Sequence, residues 1–97
     1  MIVRRTKTFT RWFESLRDRK AVKSILRRIS AIEESDSFGD YKYIGDKIYE
    51  LRVHYGPGYR LYYTIKGSTL VLLLVGGDKS DQQKDIEKAK ALIMELE

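Results

Sequence analysis

Cysteine is missing from this sequence altogether, and histidine and proline each occur once. Without thiols there can be no disulfide scaffold, Cys-ligated zinc, iron–sulfur cluster or cysteine nucleophile. With His54 as the lone imidazole, a His-paired metal site within one chain is excluded, and neither a metal nor a cofactor is expected. Long hydrophobic runs are lacking too: the longest, residues 70–75, is far short of the ~20 residues of a membrane span. The basic residues 1–7 are not followed by the apolar stretch of a signal peptide, so the expectation is a soluble, cytoplasmic protein with no membrane partner. Repeats, low-complexity tracts and flexible linkers are absent. The 97 residues, 42% hydrophobic and 34% charged, suit a single domain over 1–97 with one small core, burying roughly 60–65% of the surface its unfolded chain exposes.

Charge of one sign is also scarce where it matters. The first thirty residues hold Arg4, Arg5, Lys7, Arg11, Arg17, Arg19, Lys20, Lys23, Arg27 and Arg28 against only Glu14 and Asp18, while the remainder is net acidic and the whole chain is +5. A basic lobe on a small domain suits a polyanion, because each phosphate neutralised releases condensed counterions. Arg4, Arg5, Lys7, Arg11, Arg27 and Arg28 are the candidate RNA contacts. A solvated helix face, or an acidic protein partner, would account for the same residues.

Local patterns predict the elements. Residues 2–6 read as a strand, followed by a helix capped by Thr8 or Thr10, with Phe9, Trp12, Phe13 and Leu16 on one buried face. After a polar joint at 17–20, Ala21, Val22, Ile25, Leu26, Ile29 and Ile32 repeat the helical spacing, giving an antiparallel αα-hairpin. Residues 33–46 have a loop's composition, partly tied down by Tyr41, Tyr43 and Ile44. Strands follow at 48–55, 59–66 and 69–75, a three-stranded antiparallel meander whose last member, without alternation, lies centrally or beside the N-terminal strand. Gly76 and Gly77 should end it. Ser80 and Gln83 read as a capping box opening a last helix lined by Ile86, Ala89, Leu92, Ile93 and Leu96. The expected fold class is α+β, its helices packed on one curved, mostly antiparallel sheet.

Period-two alternation puts Glu50, Arg52 and His54 on one face of the first meander strand, and Arg60, Tyr62 and Thr64 on one face of the second. A three-residue turn at Gly56, Pro57 and Gly58 would pair His54 with Arg60, Arg52 with Tyr62 and Glu50 with Thr64, uniting the polar sets. Two guanidiniums, an imidazole and a phenol on one face suit phosphate chemistry, since Arg matches phosphate oxygens bidentately. RNA supplies its own nucleophile, the 2′-hydroxyl. An enzyme acting on it need add only alignment, a proton acceptor and charge stabilisation. A solvated outer face, with Glu50 paired to Arg52 or Arg60 and His54 merely exposed, is the competing reading. Residues 76–80 lack the spacing of a phosphate-binding loop. Lys79 fits either an anion-holding helix start or an ordinary strand-to-helix turn.

The element order, with ELRVHYGPGYRLYY at 50–63 and LVLLLVGGDKSDQQKDI at 70–86, resembles the RelE/ParE toxin superfamily. It is most similar to the HigB-like, phage Gp49-related branch often called addiction module killer proteins. The resemblance implies a RelE-like fold and the toxin of a type II toxin–antitoxin pair: a metal-independent messenger-RNA endonuclease, usually acting on the ribosome. It also implies a cognate helix-turn-helix, HigA-like antitoxin that joins it in a hetero-oligomer. Carried over by motif, Arg52 and Arg60 fall on the scissile phosphate and Lys79 is a supporting cation, while His54 and Tyr62 are candidates for proton transfer. Many members carry an acid–base Tyr or His near the C-terminus, whereas this chain ends in a helix with neither. ParE-like inhibition of DNA gyrase and a non-catalytic nucleic-acid-binding module are the alternatives.

Overall fold

A computed structural model describes residues 1–96. The chain runs β1 (Ile2–Arg5), α1 (Lys7–Ser15), α2 (Arg19–Ser35), β2 (Tyr41–Gly45), β3 (Ile48–Val53), β4 (Tyr59–Lys66), β5 (Leu70–Asp78), a 3-10 turn (Lys79–Asp81) and α3 (Gln82–Leu96). The fold class is α+β, with one five-stranded sheet in the order β1-β5-β4-β3-β2. β1 lies beside β5 and is parallel to it, and every other pairing is antiparallel. No helix among the described residues is long and apolar enough to cross a membrane.

Several starts and stops differ from the sequence expectation for identifiable reasons. Thr6, not Thr8 or Thr10, caps α1: its oxygen accepts the Phe9 N–H at 3.0 Å, and its hydroxyl donates to the Leu74 carbonyl at 2.6 Å, tying the helix start to β5. Asp78 rather than Ser80 opens the last helical segment, accepting from the Ser80 N–H at 2.9 Å. Residues 41–45, expected as loop, form the edge strand β2. The two-residue turn into β3 is Asp46 and Lys47, whose φ values of 52° and 66° are the left-handed pair a twisted hairpin needs, without the usual Asn-Gly signature.

Gly76 and Gly77 do not end β5, because β5 continues through Asp78. A Cβ on Gly76 would stand 2.2 Å from the Trp12 ring, and one on Gly77 would stand 1.9 Å from Asp85 Oδ2. The two bare positions point to opposite sheet faces, so α1 settles on one and α3 on the other. The core divides accordingly. Phe9, Ile25, Ile29 and Ile32 pack with Leu51, Leu61, Tyr63 and Leu73 on the first face, and Ala89 and Ile93 pack with Ile48, Tyr62, Leu74 and Val75 on the second. The helices therefore sandwich the sheet instead of sharing one side of it, and α3 covers part of the polar face. That follows from residues 74 and 75. A bulge opposite Tyr62 and Tyr63 turns both Leu74 and Val75 toward α3.

Gly76→Ala is expected to lower unfolding free energy by about 3 kcal/mol, because the new methyl would stand inside contact distance of the Trp12 ring and force the whole rigid indole aside. Gly67→Ala, at φ +60° but with open space around the new methyl, should cost about 1 kcal/mol. Urea denaturation of the two variants checks the difference, and equal losses would show that the Trp12 contact does not constrain β5.

Candidate active site

The polar face forms, with a shifted register. Arg52 pairs with Arg60, Glu50 with Tyr62 and Tyr49 with Tyr63. The connection is five residues long, 54–58, closed by Gly58 N–H to Tyr55 C=O at 3.0 Å and held from outside by Lys79 N–H to Gly58 C=O at 2.8 Å. The expected pairs His54 with Arg60, Arg52 with Tyr62 and Glu50 with Thr64 are thus corrected by two positions. A shift of two preserves side-chain parity, so Arg52, Arg60, Glu50 and Tyr62 still share a face. Thr64 lies past the β3–β4 ladder and is buried.

Two guanidiniums directly across a ladder repel, and Glu50 offsets this. It is 1% exposed, and its Oε1 accepts Arg52 Nε at 3.1 Å. Its Oε2 accepts the Tyr62 hydroxyl at 3.1 Å and Gln82 Nε2, from the first turn of α3, at 2.8 Å. Pairing of Glu50 with Arg52 belongs to the competing reading of this face, yet here the carboxylate is internal and supports the pair from below. Arg52 remains one-third exposed, with Nη1 3.9 Å from Asp40 Oδ1. Arg60 is half-buried; its Nε is enclosed without a partner, and no carboxylate among the described residues lies within ion-pair distance of it. Both nearby carboxylates, the buried Glu50 and the partly exposed Asp40, are thus directed to Arg52, and Arg60 is the guanidinium left without an anionic partner among the described residues.

His54 leaves the ladder and is 71% exposed, its Nε2 2.5 Å from Asp40 Oδ2. With Tyr55, Gly56, Pro57, Gly58, Arg60 and Lys79 it lines an open groove of about 340 Å³. The structure thus brings His54, Arg60 and Lys79 together, with Arg52 beside Arg60. Tyr62 does not join them at the surface. It is fully buried, and burial first, then the Glu50 charge, pushes its phenol well above the ordinary range. Its placement is that of a donor holding Glu50, out of reach of any substrate.

Among the RNA-contact candidates, Arg4, Arg5, Lys7, Arg11 and Arg27 are exposed, Arg5 lying over the Phe13 ring at 5.1 Å, and none of them lines the groove. Arg28 is turned inward. Its guanidinium donates to the carbonyls of Arg52, Phe38 (2.8 Å) and Asp40 (3.3 Å), so its donors serve the chain's own backbone and not a phosphate. Burial makes it easier to deprotonate than a free Arg, and Asp40 works the other way. Sequence reasoning missed three supporting residues: Asp40, Gln82 and the inward role of Arg28. Each acts across a separation of 12 to 32 positions, for which local spacing carries no signal. Among the described residues no group of three or more His, Asp or Glu side chains is placed to hold a metal ion.

Residues 11–95 match the family model described as a phage derived, Gp49-like protein. An uncharacterized protein of Haemophilus influenzae is 44% identical over 94 residues, spanning 97% of this chain and 94% of its own length. The chain belongs to the Gp49-like family.

Tyr62 and Tyr63 both have phenols raised by burial. A native pKa above the unfolded value stabilises the fold fully below about pH 10, and that stabilisation is lost as pH rises further. Ultraviolet titration should therefore show two of the seven tyrosines ionising only as the chain unfolds in base. Tyr62→Phe should cost about 1–3 kcal/mol at neutral pH, since Glu50 loses a donor. It should also flatten the alkaline decline, and seven freely titrating phenols in the folded protein would contradict the placement.

Proposed function

We propose that this Gp49-like family member is the toxin of a type II toxin–antitoxin pair, built on a RelE-like scaffold, and that it cuts messenger RNA on the ribosome without a metal. The observation that carries the reading is Arg52 facing Arg60 across the β3–β4 ladder over one buried carboxylate. With Lys79 at the same groove, three cations stand against Glu50 and Asp40, which leaves an excess of positive charge on an accessible surface beside an imidazole. In the reaction the 2′-oxygen loses its proton and bonds to the adjacent phosphorus while the bond from phosphorus to the 5′-oxygen breaks. The products are a 2′,3′-cyclic phosphate and a 5′-hydroxyl end. Negative charge grows on the phosphoryl oxygens as the new bond forms, so guanidiniums held in place before the reaction stabilise the transition state more than the ground state. Arg60 and Arg52 take that role, Lys79 adds a cation at the groove's rim, and His54 handles the proton. Glu50, itself held by Tyr62 and Gln82, fixes Arg52 opposite Arg60.

The exposed cations of β1, α1 and α2 contact the ribosomal or messenger phosphate backbone without reading sequence. A helix-turn-helix, HigA-like antitoxin silences the protein by covering the groove and the basic surface together.

Arg60→Ala is expected to reduce cleavage of ribosome-bound message by about 10²–10³-fold with the far-ultraviolet circular dichroism unchanged, and Arg60→Lys to recover part of the loss. Arg52→Lys, which keeps a partner for Glu50, should lose cleavage similarly. Mapping 5′ ends after incubation with ribosomes and message reads all three. Gyrase inhibition without cleavage would replace this reading with the ParE-like one, and salt-sensitive binding with neither activity would leave a non-catalytic RNA-binding module.

A further inference from the structure

Asp40 lies in the turn before β2, fourteen positions from His54, and its backbone is fixed from two sides. Its carbonyl accepts the Arg52 N–H at 3.0 Å and Arg28 Nη2 at 3.3 Å. The preceding Gly39, at φ +64°, has Arg28 Nη2 only 2.7 Å from where a Cβ would stand, so the turn closes on the guanidinium because no side chain intervenes. That closure delivers the Asp40 carboxylate to His54, Oδ2 lying 2.5 Å from Nε2, with Oδ1 3.9 Å from Arg52 Nη1. The hydrogen bond from His54, followed by the charges of Arg52, His54 and Arg28, holds the Asp40 carboxyl below the usual carboxylate range. It is therefore ionised at neutral pH and can only accept. Nε2 must then carry the hydrogen, and in the neutral imidazole the lone pair resides on Nδ1. Arg52 from β3, Arg60 from β4 and Lys79 from the 3-10 turn are the other charged groups around His54, all cationic. Asp40 is the one carboxylate among the described residues within ion-pair distance of it.

We propose that Asp40 is a positioning residue that fixes His54 in the Nε2–H tautomer and leaves Nδ1 as the base that takes the 2′-hydroxyl proton. This rests on the endoribonuclease reading. As the 2′-oxygen bonds to phosphorus its proton moves to Nδ1. The bond to the 5′-oxygen breaks with its electron pair on that oxygen, which takes a proton from water. The imidazolium formed faces the ionised Asp40 carboxylate, which offsets the repulsion of the three cations around it.

Nitrogen-15 NMR of the full-length protein at about pH 9, where a histidine is neutral, reads the tautomer directly. Wild type should show Nε2–H alone, Asp40→Ala a mixture of both tautomers, and a wild-type mixture matching that of Asp40→Ala would overturn the proposal. In the cleavage assay, Asp40→Asn and Asp40→Ala should lose about 10²-fold, in kcat more than in KM, with the acid limb of the pH profile, where the base becomes protonated, altered. Asp40→Glu should restore part of the rate. Wild-type rates and an unchanged pH profile in both variants would also overturn it. A wild-type protein that cleaves no RNA sinks the nuclease reading instead, while the tautomer measurement still decides whether Asp40 sets His54.

Discussion

The buried carboxylate of Glu50 is the constraint on which the rest of the site depends. A charge that is 1% exposed is tolerable only if its lone pairs are filled, and here three donors from three elements fill them: Arg52 of β3, Tyr62 of β4 and Gln82 of α3. Satisfying Glu50 therefore fixes the β3–β4 register, the entry of α3 and the direction of one guanidinium together. It also resolves the conflict between Arg52 and Arg60, which face each other where like charges are destabilising. The carboxylate engages Arg52 through Nε, which leaves the outer nitrogens of that guanidinium uncommitted to it. Arg60 is left with no anionic partner among the described residues. The fold thus directs both nearby carboxylates, Glu50 and Asp40, to Arg52 and leaves Arg60 as an unmet demand for an anion.

Much of this was legible in the sequence because it depends on parity and periodicity. The helical stripes of α1 and α2 and the shared face of Arg52 and Arg60 follow from spacing of 3.6 or two, and the lack of alternation in β5 points to a central place or one beside β1, though not to the parallel direction of that pairing. The exact register was not legible, because the Gly56, Pro57 and Gly58 turn is closed by Tyr55 within and Lys79 from outside, and a tertiary hydrogen bond has no local signature. Parity protected the functional conclusion: a slip of one would have sent Arg52 and Arg60 to opposite faces, whereas a slip of two changed only which partners face. His54 shows the limit of that protection. It lies beyond the end of the ladder, so its position is set by Asp40 and not by alternation.

Gly76 and Gly77 illustrate how a local signal can be inverted by packing. In isolation a glycine pair after an apolar strand reads as a stop. In the fold each glycine is the contact point of a different layer, Trp12 above one and Asp85 above the other, and the strand must continue to carry both. The consequence reaches the site, since the continued strand delivers Asp78, the cap that turns the chain into the 3-10 segment with Lys79 at the groove. Because α3 then returns across the same face as the arginines, Tyr62 becomes an internal donor. An exposed phenol was a fair expectation only while all helices were placed on the opposite side.

Charge counting, likewise, overstates what the basic lobe can offer a polyanion. Arg28 belongs to the cationic first thirty residues, yet its donors are directed to the carbonyls of Phe38, Asp40 and Arg52, and Arg5 lies against Phe13. What Arg28 does instead is more specific. By closing the turn at Gly39 it sets Asp40, and Asp40 in turn reaches both His54 and Arg52. A cation that would have added one more non-specific phosphate contact thereby becomes the anchor of the geometry in which the imidazole and the two facing guanidiniums are held. Net charge draws a polyanion toward the surface, but the placement of individual donors decides where on that surface chemistry can occur.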